Sequence, residues 1–176
     1  MSKFGKKFDL TLPQMMSLYA YSKRTQADKH LEDGGFVFED AVIVTEKKFG
    51  VPIKYTVKKA NPHSLAREHL AAVVGALTDS QRAFVDEMQE YLSSTMGAKG
   101  NEVSREMYGI DLFKEKYYFP LKSSNYYMSY NPEKDAQARI KNYGMAKETV
   151  KHANNPIVLS DFMSVWANHI DEMSRY

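Results

Sequence analysis

The chain has 176 residues, of which 43% are hydrophobic and 26% are charged, values typical of a globular domain. Its 24 basic and 22 acidic residues leave a formal net charge of +2, and no stretch has the dense Lys and Arg of a phosphate-tracking groove. The absence of cysteine excludes disulfides, thiolate nucleophiles and Cys-type zinc sites. We therefore predict a single folded domain over residues 1–176.

The N-terminal residues are basic but lead into Asp9 and not into an apolar stretch, so no secretory signal peptide is predicted. No run of the sequence approaches the ~18 apolar residues that a membrane-spanning helix needs. These observations predict a protein that is intracellular or carried in a virion and that has no membrane partner.

The first predicted elements are a helix and a β-hairpin. Thr11, with Pro13 and Gln14 behind it, has the pattern of a capping box that satisfies the free amides at a helix start. We predict one helix from about Leu12 to Glu32, ended by Gly34 and Gly35. Two runs rich in β-branched and aromatic residues follow, and they predict a half-buried hairpin: Ala41 to Thr45 and Pro52 to Val57.

Two helices are predicted in the middle of the chain. Asn61 followed by Pro62 is typical of a helix start, and the apolar face that follows ends near Leu77. Thr78 and Gln81 form a second capping box, and an apolar stripe continues from there until Gly97. This pattern predicts a third helix that stops at Gly97.

A loop and a short helix should come next. We predict a loop from Gly97 to Gly100, after which Asn101 caps a short helix that carries Val103 and Met107 and ends at Gly109. A further turn of helix is predicted around Asp111 to Lys116.

The composition changes abruptly after Lys116. Pro120 and the polar residues Ser123 to Asn125 argue against a continuous helix, so we predict an extended, partly buried arm. Its aromatic residues are Tyr117, Tyr118, Phe119, Tyr126, Tyr127 and Tyr130.

The C-terminal part is predicted to end on a helix. The polar segments from Glu133 to Ile140 and from Lys147 to Ala153 form either short helices or loop, and Ser160 caps a last helix. The chain is thus predicted to be mainly α, a single-domain bundle of about six helices with a small β-hairpin and an extended aromatic arm.

The sequence predicts no catalytic residue, metal site or cofactor. His63 and His69 are six residues apart, on opposite sides of a helix, whereas zinc-binding helices use four-residue spacing. We interpret both as surface or capping histidines. The glycines and lysine from Gly97 to Asn101 are in the wrong order for a phosphate loop, and no Gly-x-Ser-x-Gly elbow exists.

The aromatic arm has two interpretations. Its tyrosines could stack single-stranded bases or anchor a protein partner, or they could fill the core. Base stacking normally needs a basic groove, and few lysines lie nearby, so the sequence favours packing over interaction. The surface that the arm could offer comprises Lys114, Lys116, Tyr117, Tyr118, Lys122, Tyr126, Tyr127 and Tyr130.

Short motifs spread in order along the chain also carry a resemblance. They are Thr11 to Tyr19, His30, Gly34 and Gly35, Leu77 and Thr78, Gly100 to Ser104, Met107 to Gly109, and Lys116 to Lys122. In these motifs the chain resembles a segment of the very large polyproteins of phages, prophages and other mobile elements. In those polyproteins, helical regions called "large polyvalent protein-associated" lie beside methylase-like, helicase-like or virion modules.

The resemblance implies a context for the chain and attaches no catalytic residue to it. The chain would be a piece of a longer polyprotein, in the cytoplasm of a bacterial host or associated with a virion. It would act as a non-catalytic structural or interaction module whose partners are neighbouring modules or other phage proteins. Two alternatives stay open: a nucleic-acid-handling accessory domain that uses the Lys- and Tyr-rich residues 114–130, and an enzyme fragment whose site is completed elsewhere.

Overall fold

The computed structural model describes residues 9–39, 43–49, 51–57, 63, 65–121 and 156–175. These residues form a mainly helical fold with two small β pairings. The elements in chain order are α1 (Leu12–Lys23), α2 (Ala27–Asp33), β1 (Phe36–Phe38), β2 (Ile43–Lys48), β3 (Val51–Val57), α3 (Arg67–Ala76), α4 (Asp79–Glu90), a π-helical segment (Tyr91–Met96), α5 (Gly97–Tyr108), β4 (Ile157–Leu159) and α6 (Phe162–Met173).

Both predicted capping boxes form. Thr11 Oγ1 accepts from the Gln14 amide and the Gln14 side chain accepts from the Thr11 amide, at the start of α1. Thr78 and Gln81 make the same reciprocal pair at the start of α4. Each box satisfies two amides that the helix itself cannot pair.

The predicted helix from Leu12 to Glu32 is broken into α1 and α2. The break lies at Gln26, whose φ of 62° is left-handed and therefore incompatible with a continuous right-handed helix. Two neighbouring side chains reach a distant loop from this break: Arg24 Nη1 donates to the Phe119 carbonyl at 2.6 Å, and Thr25 Oγ1 donates to Glu115 at 3.0 Å. The break is thus held by tertiary contacts, which the local sequence does not reveal.

The predicted loop from Gly97 to Gly100 does not form. The chain continues without interruption from α4 through the π-helical segment into α5, so the described residues contain five continuous helices and not six. Asn101 lies inside α5 and does not cap a new helix. Gly109 does end the helix as predicted, with a φ of 73° that favours glycine.

Three other predictions about the helices are wrong. The helix expected from Asn61 starts at Arg67, because His63 instead pairs with the backbone of Phe36 in a β-bridge. No helix forms at 111–116, where the chain packs against α5 in an irregular conformation. The last helix is capped by Asp161, whose carboxylate accepts from the Ser164 amide, and not by Ser160.

The structure changes the interpretation of His63 and His69 as surface or capping residues. His63 lies outside the helix and is half-buried, with its ring 5.4 Å from that of Phe36 and 5.6 Å from that of Phe38. His69 is half-buried in α3. His63 is therefore a packing residue and neither an exposed nor a capping histidine.

The two β pairings differ in kind. β2 and β3 are antiparallel, with Ile43 opposite Val57, Glu46 opposite Lys54, and a register shift after Glu46. β2 extends to Lys48, beyond the predicted end of the first strand at Thr45, while Ala41 and Val42 of that prediction lie outside the described residues. β1 and β4 form a parallel pair that the sequence analysis did not predict, with Phe36 opposite Ile157.

The core is rich in aromatic rings. The ring of Phe119 stacks on that of Phe162 at 4.9 Å and is tilted against that of Tyr21 at 5.4 Å. All three residues are buried, as are Tyr118 and Phe36. Residues 118–120 of the predicted arm therefore lie in the core, while residues 122–130 of the arm, and the segments 133–140 and 147–153, lie outside the described residues.

Candidate functional site

The predicted site residues that the structure describes lie on an irregular segment after α5, which we call the post-helix loop (residues 109–121). The first part of this loop is fastened to α5 by side-chain hydrogen bonds. The Asn101 side chain makes two hydrogen bonds with the Phe113 backbone. Its Nδ2 donates to the Phe113 carbonyl at 2.9 Å, and its Oδ1 accepts from the Phe113 N–H at 2.8 Å. Ser104 Oγ donates to the Ile110 carbonyl at 2.8 Å, and Arg105 pairs with Asp111. The loop therefore has a defined conformation without regular secondary structure.

Gly100 allows the Phe113 ring to approach the helix closely. A Cβ atom built on Gly100 would lie 2.5 Å from Phe113 Cε2, which is shorter than real contacts allow. Phe113 is itself buried and is part of the core. Gly100 is thus required by packing, which explains why a glycine stands inside the long helix, the name we give to the continuous helix of α4, the π-helical segment and α5 (Asp79–Tyr108).

The second part of the loop is fastened to α4 and the π-helical segment. Gln89 is buried, and its Nε2 donates to the carbonyls of Ala20 and Tyr117 at 3.0 and 3.1 Å. Ser93 Oγ donates to the Gln89 carbonyl at 2.9 Å and accepts from the Tyr118 amide at 3.2 Å. These contacts join α1, the long helix and the loop through two side chains.

A buried guanidinium lies beside the inner end of the loop. Arg24 is 6% exposed, and its Cζ lies 5.2 Å from the centre of the Tyr118 ring. Burial lowers the pKa of the Arg24 guanidinium, and it raises the pKa of the Tyr118 hydroxyl. The raised pKa keeps the Tyr118 hydroxyl neutral near neutral pH, and an arginine side chain is not deprotonated in proteins.

The predicted site residues are divided between the core and the surface. Tyr118 is 1% exposed and lies against the ring of His169 at 5.1 Å, so it cannot contact a partner and does not belong to an interaction surface. Lys114 and Lys116 are exposed, and Tyr117 is 36% exposed. The remaining four predicted residues lie outside the described part of the chain: Lys122, Tyr126, Tyr127 and Tyr130.

The exposed ring of Tyr117 is surrounded by cations. The Nζ atoms of Lys23 and Lys116 lie 4.7 and 5.1 Å from its centre. Lys23 also donates to Asp86 at 2.6 Å, which in turn accepts from Tyr19. Burial and this bond to Asp86 raise the pKa of Tyr19 to about 12. Two ammonium groups therefore already occupy the surroundings of Tyr117.

A shallow depression of about 230 Å³ lies between the loop and the π-helical segment. Its lining mixes charges of both signs and comprises Glu90, Ser93, Ser94, Phe113, Lys114, Glu115 and Lys116. Ser94 Oγ, like that of Ser93, donates to a backbone carbonyl one turn earlier. Neither hydroxyl is hydrogen-bonded to a base, so the depression has the features of a polar surface and not of a nucleophilic centre.

Sequence analysis missed a set of exposed apolar residues around the end of α5. Met107, Tyr108 and Ile110 are 62%, 57% and 55% exposed, and we call them the helix-end patch. In the sequence these residues flank Gly109, where we predicted only the end of a short helix that carries Met107. Met107 and Tyr108 end α5, and the Ile110 carbonyl accepts from Ser104 Oγ beside the ion pair of Arg105 and Asp111, so the backbone of the patch has a defined conformation.

Neither metal binding nor membrane insertion has support in the described residues. Within ranges 9–39 and 65–121 and the other described positions, no group of three or more His, Asp or Glu side chains could hold a metal ion. Every helix in the same residues is too short or too polar to span a bilayer.

Comparison of the chain with protein families, curated proteins and solved structures finds no match.

Proposed function

We propose that this chain is a non-catalytic interaction module of a phage-derived multidomain protein, and that it binds a neighbouring module through the helix-end patch. The observation that carries the proposal is the exposure of Met107, Tyr108 and Ile110 on a backbone held by hydrogen bonds. Exposed apolar side chains that lie together are typical of protein interfaces. A surface whose conformation is already ordered loses less entropy on binding than a flexible one.

The proposed polyprotein context rests on the resemblance in the sequence motifs. Two of these motifs lie at the post-helix loop and the helix-end patch. Gly100 to Ser104 supplies the groups that hold the post-helix loop, and Met107 to Gly109 supplies most of the patch. A module in a long chain has neighbours at high effective concentration, so a modest apolar patch is sufficient for docking.

The test measures binding of the purified chain to the segments that the same reading frame encodes on either side, by isothermal titration calorimetry. The double variant Met107→Ser/Ile110→Ser is expected to weaken binding about tenfold or more, because truncating central apolar residues of an interface costs over ~1 kcal/mol. The control is Leu12→Ser, which removes an apolar side chain of similar exposure from α1.

Two results would contradict this proposal. Equal affinities of the double variant and the Leu12→Ser control would exclude the helix-end patch as the interface. A reading frame that encodes no further domain would remove the polyprotein context.

A second candidate function is nucleic-acid handling by the Lys- and Tyr-rich residues 114–130. The observation in its favour is the exposure of Lys114 and Lys116 beside Tyr117. One observation weakens it: Glu90 and Glu115 line the same depression and would repel phosphate groups. Nucleic-acid handling is therefore the second candidate function, after protein interaction.

Fluorescence anisotropy with a labelled single-stranded oligonucleotide separates this candidate from the first. Phosphate contacts would make the affinity fall steeply between about 50 mM and about 200 mM salt. We expect no such binding through this loop. Strong, salt-dependent binding that the double variant Lys114→Glu/Lys116→Glu abolishes would establish the second candidate in place of the first.

A further inference from the structure

The hairpin formed by β2 and β3 is the most isolated element of the described fold. Its two strands contact each other extensively, and neither makes comparable contact with any other described element. With six and seven residues at about 3.3 Å each, the strands extend roughly 20 Å. A two-stranded ribbon on its own is only marginally stable in water, so a bound partner would stabilise this hairpin.

The tip of this hairpin carries an exposed aromatic residue. Phe49 follows β2 directly and is 95% exposed, more than any other large apolar residue in the described part of the chain. Its φ of 52° is rare for a bulky side chain, although two-residue hairpin turns require positive φ values. The turn thus holds a phenylalanine at the far end of the ribbon, where packing against the rest of the fold does not explain it.

The hairpin is also positively charged. Three lysines and one acidic residue lie between Ile43 and Val57. In the register of the strands, Lys48 stands opposite Val51, Lys47 opposite Pro52, and Lys54 opposite Glu46. Lys47 and Lys48 are therefore the two residues immediately before Phe49, so positive charge and the apolar tip occur together.

We propose that this hairpin is a binding site for double-stranded DNA. The major groove of B-form DNA is wide enough to admit a two-stranded β-ribbon, and lysines at its end would neutralise phosphates on the groove walls. An apolar side chain at the tip can contact base edges in that groove, such as the methyl group of thymine. The ligand class follows from the combination of ribbon shape, lysines and a solvent-exposed aromatic tip.

This site is distinct from the helix-end patch and from the post-helix loop. It uses no residue of either, so the fate of the proposed interaction function does not decide it. An acidic protein partner would also complement the lysines, but it would neither need a groove-sized ribbon nor prefer one duplex geometry over another. The experiment therefore compares nucleic acids of different geometry.

The experiment measures binding of the full chain to a labelled DNA duplex of about two helical turns, at several salt concentrations. Lys47→Gln/Lys48→Gln is expected to weaken binding at least tenfold and to lower the slope of log affinity against log salt by about 2, since each phosphate contact contributes about 0.9. Phe49→Ser is expected to weaken binding about tenfold with the salt slope unchanged, because no charge is lost.

Matched controls make the same chemical changes elsewhere. Lys29→Gln/Lys99→Gln removes two exposed lysines of α2 and α5 that belong to neither proposed surface, and Met163→Ser removes an apolar side chain of α6 that is 44% exposed. Both are expected to bind DNA as the unchanged chain does. Circular dichroism and thermal unfolding of each variant verify that the fold is retained.

A duplex of RNA with the same sequence provides the second arm. Its major groove is deep and narrow, so a ribbon cannot enter it, and we expect affinity at least tenfold weaker than for DNA. Absence of DNA binding at low salt, equal binding of the hairpin variants and the controls, or equal affinity for the two duplexes would each overturn the proposal.

Discussion

Replacing Phe119 by alanine is expected to lower the free energy of unfolding by about 3 to 5 kcal/mol, the range typical of a large aromatic residue removed from a core. Phe119 is fully buried, stacked on Phe162 and packed against Tyr21. Its carbonyl also accepts the hydrogen bond from Arg24, so a cavity here would loosen the attachment of the loop to α1. Urea unfolding followed by circular dichroism measures the change.

The control for this prediction lies two residues away. Tyr117 has a ring of similar size but is 36% exposed, and its contacts are with the ammonium groups of Lys23 and Lys116. Tyr117→Ala should therefore cost about 1 kcal/mol or less. If Phe119→Ala is too unstable to measure, Phe119→Leu should still fold, with a loss of about 1 to 2 kcal/mol. Similar losses for Phe119→Ala and Tyr117→Ala would show that the loop is not part of the core.

Replacing Gly100 by alanine is expected to destabilise the chain by about 1 to 3 kcal/mol, although alanine is the better helix former. The new Cβ would lie 2.5 Å from the Phe113 ring. Phe113 cannot easily move away, because its backbone amide and carbonyl are both bound by Asn101. Thermal or urea unfolding measures the loss.

Gly75 provides a matched comparison for Gly100. It lies inside α3, and nothing stands within 4 Å of a Cβ built on it. Gly75→Ala should therefore stabilise the chain by about 0.5 to 1 kcal/mol through helix propensity alone. A stabilising effect of Gly100→Ala would mean that the Phe113 ring is free to move and that packing does not require a glycine at this position.

The sequence predicted those structural features that depend only on residues close together in the chain. The capping boxes at Thr11 and Thr78 and the end of the long helix at Gly109 form where they were expected, because each is decided within a few residues. The mainly helical class followed in the same way from apolar periodicity. Lys114 and Lys116 are exposed, since ammonium groups are costly to bury, and their part in an interaction surface stays a prediction.

Local signals misled the prediction where distant residues compete with them. Gly97 and Gly100 are typical of a loop, yet the helix continues through both, and at Gly100 the Phe113 ring packs where a side chain would otherwise lie. Gln26 interrupts a sequence with helical spacing, since Arg24 and Thr25 are bound to the post-helix loop. In both places the energy of tertiary contacts exceeds a propensity of about 1 kcal/mol or less per residue.

Composition, the capping residues and the helical class were thus determined by the sequence itself, because they depend on interactions over a few positions. The tertiary structure alone decided which apolar residues are buried. Tyr118 is enclosed while Tyr117 beside it is exposed, and Met107 and Ile110 lie at the surface although their type predicts burial. It also paired β1 with β4, which lie far apart in the chain. Burial and strand pairing depend on which distant elements meet, and a pattern read along one segment carries no information about its partner.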